Sequence, residues 1–155
     1  MCLVRKATSA DYDGIWETRY ESVHAIDQKY YKKDELEQWT PKLMPADIES
    51  KMKAYDWYVI EDSGKVVASG FLDEGRGSLE ALFVRPKFQG RGYARKILLK
   101  IEELAKQKGF ACLYLESTLS AESFYKNQGY ESLGKGICVS TRISLPCIKM
   151  KKELR

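Results

Sequence analysis

Apolar residues in this chain recur first at short helical spacings, then at strand spacing, and then along one long helical face. A strand-like stretch, Cys2–Lys6, comes first. Thr8 and Asp11 form a capping-box-like start to a helix that carries Ile15, Tyr20 and Val23. A second helical stretch, Asp34–Trp39, stops at Pro41, and a third follows Pro45 through Ile48 and Met52. From Trp57 the period becomes that of strands. Trp57–Glu61, the turn Asp62-Ser63-Gly64 and Val66–Leu72 read as a hairpin. Gly75-Arg76-Gly77 is a second turn, and Ser78–Val84 extends the hairpin into an antiparallel meander. After a loop, Arg85–Arg91, a long helix follows. Its apolar face holds Ala94, Ile97, Leu98, Ile101, Leu104 and Ala105. Glu102 and Lys106 are expected as an i,i+4 pair on its outer face, with Gly109 as its stop. The rest reads as a strand, Cys112–Glu116, a short helix, Ala121–Asn127, ended by Gly129, and two strands near Tyr130–Leu133 and Cys147–Met150. A Gly- and Ser/Thr-rich connection joins those last two.

Composition narrows the class. The 155 residues suit one domain over residues 1–155, long enough to bury a real core. With 44% hydrophobic and 31% charged residues, the balance is that of a folded globular chain rather than a disordered one. No apolar run approaches the ~20 residues that span a bilayer. Met1–Val4 followed by Arg5-Lys6 lacks a signal-peptide core. A cytoplasmic protein with reduced thiols, neither inserted nor secreted, is therefore expected. The net charge of +4 is too mild to imply nucleic acid. Cys2, Cys112, Cys138 and Cys147 contain no C-x-x-C pair, and His24 is the only histidine. That spacing predicts no metal site, and the cysteines read as small apolar fillers.

Chemistry concentrates in Leu82–Ala94. A glycine-containing loop, with Gly90 and Gly92, feeds directly into the long helix. Such a junction presents unpaired backbone N–H groups at the positive end of a helix dipole, an arrangement suited to phosphate. Between Ala81 and Ile101 there is no acidic residue, while Arg85, Lys87, Arg91, Arg95, Lys96 and Lys100 are basic. A Walker loop is absent, and Arg95 stands where a dinucleotide fingerprint needs its third glycine.

Gln89-x-x-Gly92-x-Ala94 resembles the Q/R-x-x-G-x-G/A motif of the GNAT superfamily of N-acetyltransferases. Leu82-Phe83-Val84-Arg85-Pro86 before it, and Ser123-Phe124-Tyr125-Lys126-Asn127-Gln128-Gly129-Tyr130 after it, are also similar to that family. The resemblance implies an α+β fold with a mixed α/β arrangement. Its central, mostly antiparallel twisted sheet would have about six or seven strands, flanked by helices and splayed between two central strands. It implies acetyl-CoA as cosubstrate. Backbone N–H groups of Gln89, Gly90, Arg91, Gly92, Tyr93 and Ala94 would hold the pyrophosphate. Leu82, Phe83 and Val84 would bond the pantetheine arm through the main chain. Arg85, Lys87, Arg91 and Arg95 would be partners for the 3′-phosphate.

Acyl transfer to an amine needs a neutral nucleophile, a stabilised acyl oxygen and, for the departing thiolate, a proton donor. By the same resemblance Tyr125 is the donor and Glu116 or Glu80 the base, with a main-chain N–H near Leu82–Phe83 at the oxyanion. Unbroken strand parity would put Glu80 on one face with Leu82 and Val84. Trp16, His24, Tyr30, Tyr31 and Trp39 lie in the region expected to hold the acceptor. The implied reaction is direct attack by a primary amine in a ternary complex, the acceptor a small molecule or a protein N-terminus or lysine. A homodimer is compatible with this reading; a membrane or nucleic-acid partner is not expected. An acyl-CoA sensor without turnover, and a nucleic-acid binder using Arg85–Lys100, are the competing classes.

Overall fold

The computed structural model describes residues 2–138 and 143–155. Its strands are β1 (Val4–Lys6), β2 (Trp57–Asp62), β3 (Lys65–Asp73), β4 (Ser78–Val84), β5 (Cys112–Ser117), β6 (Glu131–Ile137) and β7 (Pro146–Glu153). Its helices are α1 (Tyr12–His24), α2 (Lys33–Trp39), α3 (Ile48–Lys53), α4 (Tyr93–Gln107) and α5 (Glu122–Asn127). Among the described residues the strands form one seven-stranded sheet in the order β1-β2-β3-β4-β5-β7-β6. All neighbours are antiparallel except β4 and β5, which run parallel and share a single register pair, Ser78↔Tyr114. Beyond that pair the two strands part, and the sheet opens between them.

The opening begins with a surplus residue in β4. Ser69 faces Phe83 and Phe71 faces Glu80, so Gly70 alone stands opposite both Ala81 and Leu82. Ala81 takes a left-handed backbone, φ 54°, as a β-bulge permits. A Cβ at Gly70 would sit 2.9 Å from Cγ2 of Ile97, so only glycine lets α4 lie this close to the bulge. The bulge also corrects the parity expected for β4. Leu79, Leu82 and Val84 pack into the α4-side core, whereas Ala81 and Phe83 join clusters containing α1 residues. Glu80 therefore does not share a face with Leu82 and Val84.

Alternation elsewhere in the sheet is regular. Ile60 and Val67 pack with Ile97, Leu98 and Ile101 of α4, while Val59 and Val66 pack with Ile15 and Trp16 of α1. A third cluster, Val23, Tyr31, Leu36, Trp39 and Leu145, seals α1 and α2 against the C-terminal half.

Two buried charges depart from expectation. Glu102 is not on an outer face: it is 4% exposed, accepts the Tyr130 hydroxyl at 2.7 Å, and pairs with Lys152 at 3.2 Å. It sits beside Ile101 and Ala105 on the buried side, and the two partners from β7 and the β6 entry make that burial tolerable. Arg85 is likewise interior. Its Nε donates to the Val66 carbonyl at 2.7 Å, and its guanidinium reaches Glu21 at 2.7 Å and Glu17 at 3.3 Å, tying α1 to the sheet. The connection read as Gly-rich partly belongs to β6. Gly134 takes φ 107° at a register shift, and Gly136 leaves space that the Lys149 stem fills.

Replacing Arg85 with Met keeps the stem and removes these bonds. Both carboxylates are well exposed, and Thr18 Oγ1 also donates to the Val66 carbonyl, so the loss is modest. Urea denaturation should show a destabilisation of about 2 kcal/mol.

Candidate active site

The gap between β4 and β5 widens into a cleft of about 1000 Å³. At its head lies the loop that carries Gly90 and Gly92. Both have φ of 81°, and Gly92 is the left-handed residue that caps α4. A Cβ at either would meet nothing within 4 Å, so the ribbon here faces open space. Among the described residues, the backbone N–H groups of Gly90 to Arg95 receive no intramolecular acceptor, and the first helical bond across the start of α4 is Lys96 N–H to the Gly92 carbonyl. These donors suit a bound anion.

Side chains brace the loop from behind. The Tyr93 hydroxyl donates to Asp62 at 2.6 Å and contacts the Cys2 sulfur at 3.2 Å, while Arg91 pairs with Asp62 at 3.1 Å and lies 4.8 Å from the Phe88 ring. The hydrogen bond from Tyr93, aided by Ser63, holds the Asp62 carboxyl below its ordinary range, and the same contact pushes Tyr93 up to about 12. Gln89 Nε2 reaches back to the Val84 carbonyl at 3.3 Å. Tyr93 and Arg91 thus act on the loop through their side chains. Of the basic residues expected at a phosphate, Arg85 is excluded by its burial against α1. Lys87 and Arg95 are exposed, and Arg95 lines the cleft.

Farther along, β4 turns its unpaired edge to the cleft below Leu82, Phe83 and Val84. Tyr125 stands across from it on α5, 7% exposed, with its ring 5.1 Å from Phe124 and 5.9 Å from Tyr130. Burial, and secondarily the charge of Glu80, push its phenol upward, so it stays protonated through neutral pH. Glu80 is 7% exposed and accepts the Ser78 hydroxyl at 2.8 Å. Glu116 lines the same cleft, but its carboxylate is paired with Lys149 and lies 3.9 Å from Arg76. The fold therefore brings Tyr125, Glu80 and Glu116 to one cavity, together with the glycine loop.

The wall opposite is aromatic. Trp16 and Trp39 line it, whereas Tyr31, Tyr30 and His24 do not. Tyr31 instead bridges the Pro146 carbonyl and the Leu119 N–H, and His24 bonds the Thr40 carbonyl at 2.8 Å. Sequence reasoning missed Arg19, whose guanidinium lies 5.5 Å from Trp16 and 5.4 Å from Phe83, and also Trp57, Phe71 and Arg76. Arg19 follows Trp16 by one helical turn, a spacing that could have linked them.

Against known proteins, residues 20–130 match the acetyltransferase (GNAT) family. An uncharacterized N-acetyltransferase of Methanocaldococcus jannaschii is 30% identical over 141 residues, covering 83% of this chain and 60% of that protein. The chain thus spans less than two-thirds of that relative. A GCN5-related N-acetyltransferase structure from Rhodopseudomonas palustris superposes with a TM-score of 0.87 at 21% identity, over 99% of this chain and 96% of the other. A Salmonella typhimurium acetyltransferase solved with its cofactor acetyl-CoA gives 0.72 at 20% identity, over 100% and 95%. The matched span contains both the glycine loop and Tyr125, and the overall fold is shared with these structures. On sequence and on fold together, the chain belongs to the acetyltransferase (GNAT) family.

Proposed function

We propose that the protein transfers an acetyl group from acetyl-CoA to a primary amine on a small molecule, by direct attack within a ternary complex. The observation that carries this reading is the row of unpaired N–H groups from Gly90 to Arg95, at the head of a cleft that also holds Tyr125 and Glu80. The open space over both glycines fits a diphosphate approaching the backbone closely. Acetyl-CoA supplies a thioester-activated acetyl group. Gly90, Arg91, Gly92, Tyr93 and Ala94 hold the pyrophosphate through main-chain N–H groups, whereas the N–H expected from Gln89 is already given to the Pro86 carbonyl at 3.3 Å. Arg95 and Lys87 face the ribose 3′-phosphate. Leu82, Phe83 and Val84 bind the extended arm along the free edge of β4 and supply an N–H to the acyl oxygen.

A lysine-like amine is neutral at pH 7 only at a cost of roughly 4.6 kcal/mol, from 3.4 pH units at 1.36 kcal/mol each. Glu80 is the better proton acceptor, directly or through water, because Glu116 already has its charge matched by Lys149. Glu116 then shapes the acceptor end. Tyr125 donates to the sulfur as charge develops. An ordinary thiol titrates near roughly 8.5, well below a phenol raised by burial, so the donation is a hydrogen bond that stabilises the leaving sulfur rather than a completed transfer. The aromatic wall of Trp16, Trp39 and Phe83 supports a small acceptor over a polypeptide.

A free-thiol assay with acetyl-CoA and a panel of primary amines tests the reaction. Tight acetyl-CoA binding without turnover on any amine would make the protein a sensor instead. Tyr125→Phe should lower kcat by about 10–100-fold while acetyl-CoA affinity stays within a few-fold. Glu80→Gln should lower kcat about 100-fold at pH 7, with partial recovery at alkaline pH, where the amine is already neutral; Glu116→Gln should lose less. Gly92→Val should weaken coenzyme binding at least about tenfold by calorimetry, with thermal denaturation separating that loss from strain at its positive φ.

A further inference from the structure

On the side of β5 and β7 that faces α1 and α2, three potential ligands converge. Glu116 stands opposite Lys149 in the β5–β7 register, and Cys147 lies two residues before Lys149 on the same face. Cys138 follows β6, where its N–H bonds the Leu145 carbonyl at 2.8 Å. The Glu116 carboxylate and the two sulfurs lie within 4.8 Å of one another. Cys147 is fully buried, Glu116 nearly so, and Cys138 is half-buried where it lines the cleft. We propose that Glu116, Cys138 and Cys147 form a three-ligand site for a soft divalent cation of the zinc class, its fourth position opening on the cleft.

The donor set selects the ion. Two sulfurs disfavour calcium and magnesium, which take oxygen, and favour zinc, which accepts mixed sulfur and carboxylate ligands. A tetrahedral zinc spaces such ligands roughly 3.5–3.8 Å apart, so the present cluster would need to contract by only about 1 Å. Two thiolates and a carboxylate carry −3, which the divalent cation and the nearby Lys149 and Arg76 side chains offset. Binding breaks two S–H bonds, forms two metal–sulfur bonds and one metal–oxygen bond, and sends two protons to solvent; no electron moves. Lys149 has room to yield, since its side chain is one-third exposed and its stem crosses Gly136, where a Cβ would stand 2.9 Å from Cε. The absence of a C-x-x-C pair hid this site in the sequence, because its carboxylate comes from another strand. It rests on this geometry and is independent of acetyl transfer.

The full-length protein, chelator-treated and kept reduced with a phosphine, is titrated with cobalt(II). A thiolate-to-cobalt charge-transfer band should saturate at one cobalt per chain and vanish on adding stoichiometric zinc. Cys138→Ala and Cys147→Ala should each weaken cobalt affinity at least about tenfold, and Glu116→Gln should also weaken it. A Cys2→Ala/Cys112→Ala double variant should leave the band intact. Cys138→Ala decides the matter if the buried Cys147→Ala fails to fold. No band in the reduced wild-type protein, or a band unaltered in Cys138→Ala, would overturn the site.

Discussion

One surplus residue in β4 governs the architecture. Holding Ala81 in a left-handed backbone costs about 1–3 kcal/mol, and it persists because Gly70 opposite has no side chain and the surrounding sheet fixes both neighbours. Past this bulge β4 no longer follows β5, so a parallel pair that would close the sheet meets at one register position only. The glycine loop continues from the end of β4, and Tyr125 follows the end of β5. Both therefore lie at the rim of the same gap. The bulge also sends Glu80 away from the face of Leu82 and Val84.

The basic residues around α4 divide by role once their partners are known. Arg85 is a strut to α1, Arg91 a brace to Asp62, and Lys96 bonds the Cys2 carbonyl at 3.1 Å. Lys100 lies 5.6 Å from the Tyr58 ring. Lys87 and Arg95 remain directed at solvent or cleft. A local excess of positive charge in a sequence is thus partly internal construction, and the main-chain donors make the stronger case for an anion.

What was legible in the sequence is what local pattern dictates. The α4 face is set by apolar residues three and four apart, the β2–β3–β4 meander by alternation and turn residues, and the left-handed turn into α4 by its two glycines. What was not legible depends on partners far away in the chain. Glu102 looked like a solvent-facing i,i+4 residue because Tyr130 and Lys152, which make its burial possible, lie beyond the helix. Arg85 looked like a phosphate ligand because Glu17 and Glu21 belong to α1. Alanine carries no signature of a bulge, so the parity of Glu80 could not be read. The pairing of Glu116 with Lys149 required the β5–β7 register.

Asp62 sits at the tip of the β2–β3 hairpin and accepts from both Arg91 and Tyr93. Its grip fixes the ribbon from behind, so part of the entropy of ordering those main-chain donors is lost in folding rather than on meeting a ligand. A remote hairpin thereby acts as a tension rod, converting the stability of the N-terminal half into readiness at the mouth of the cleft.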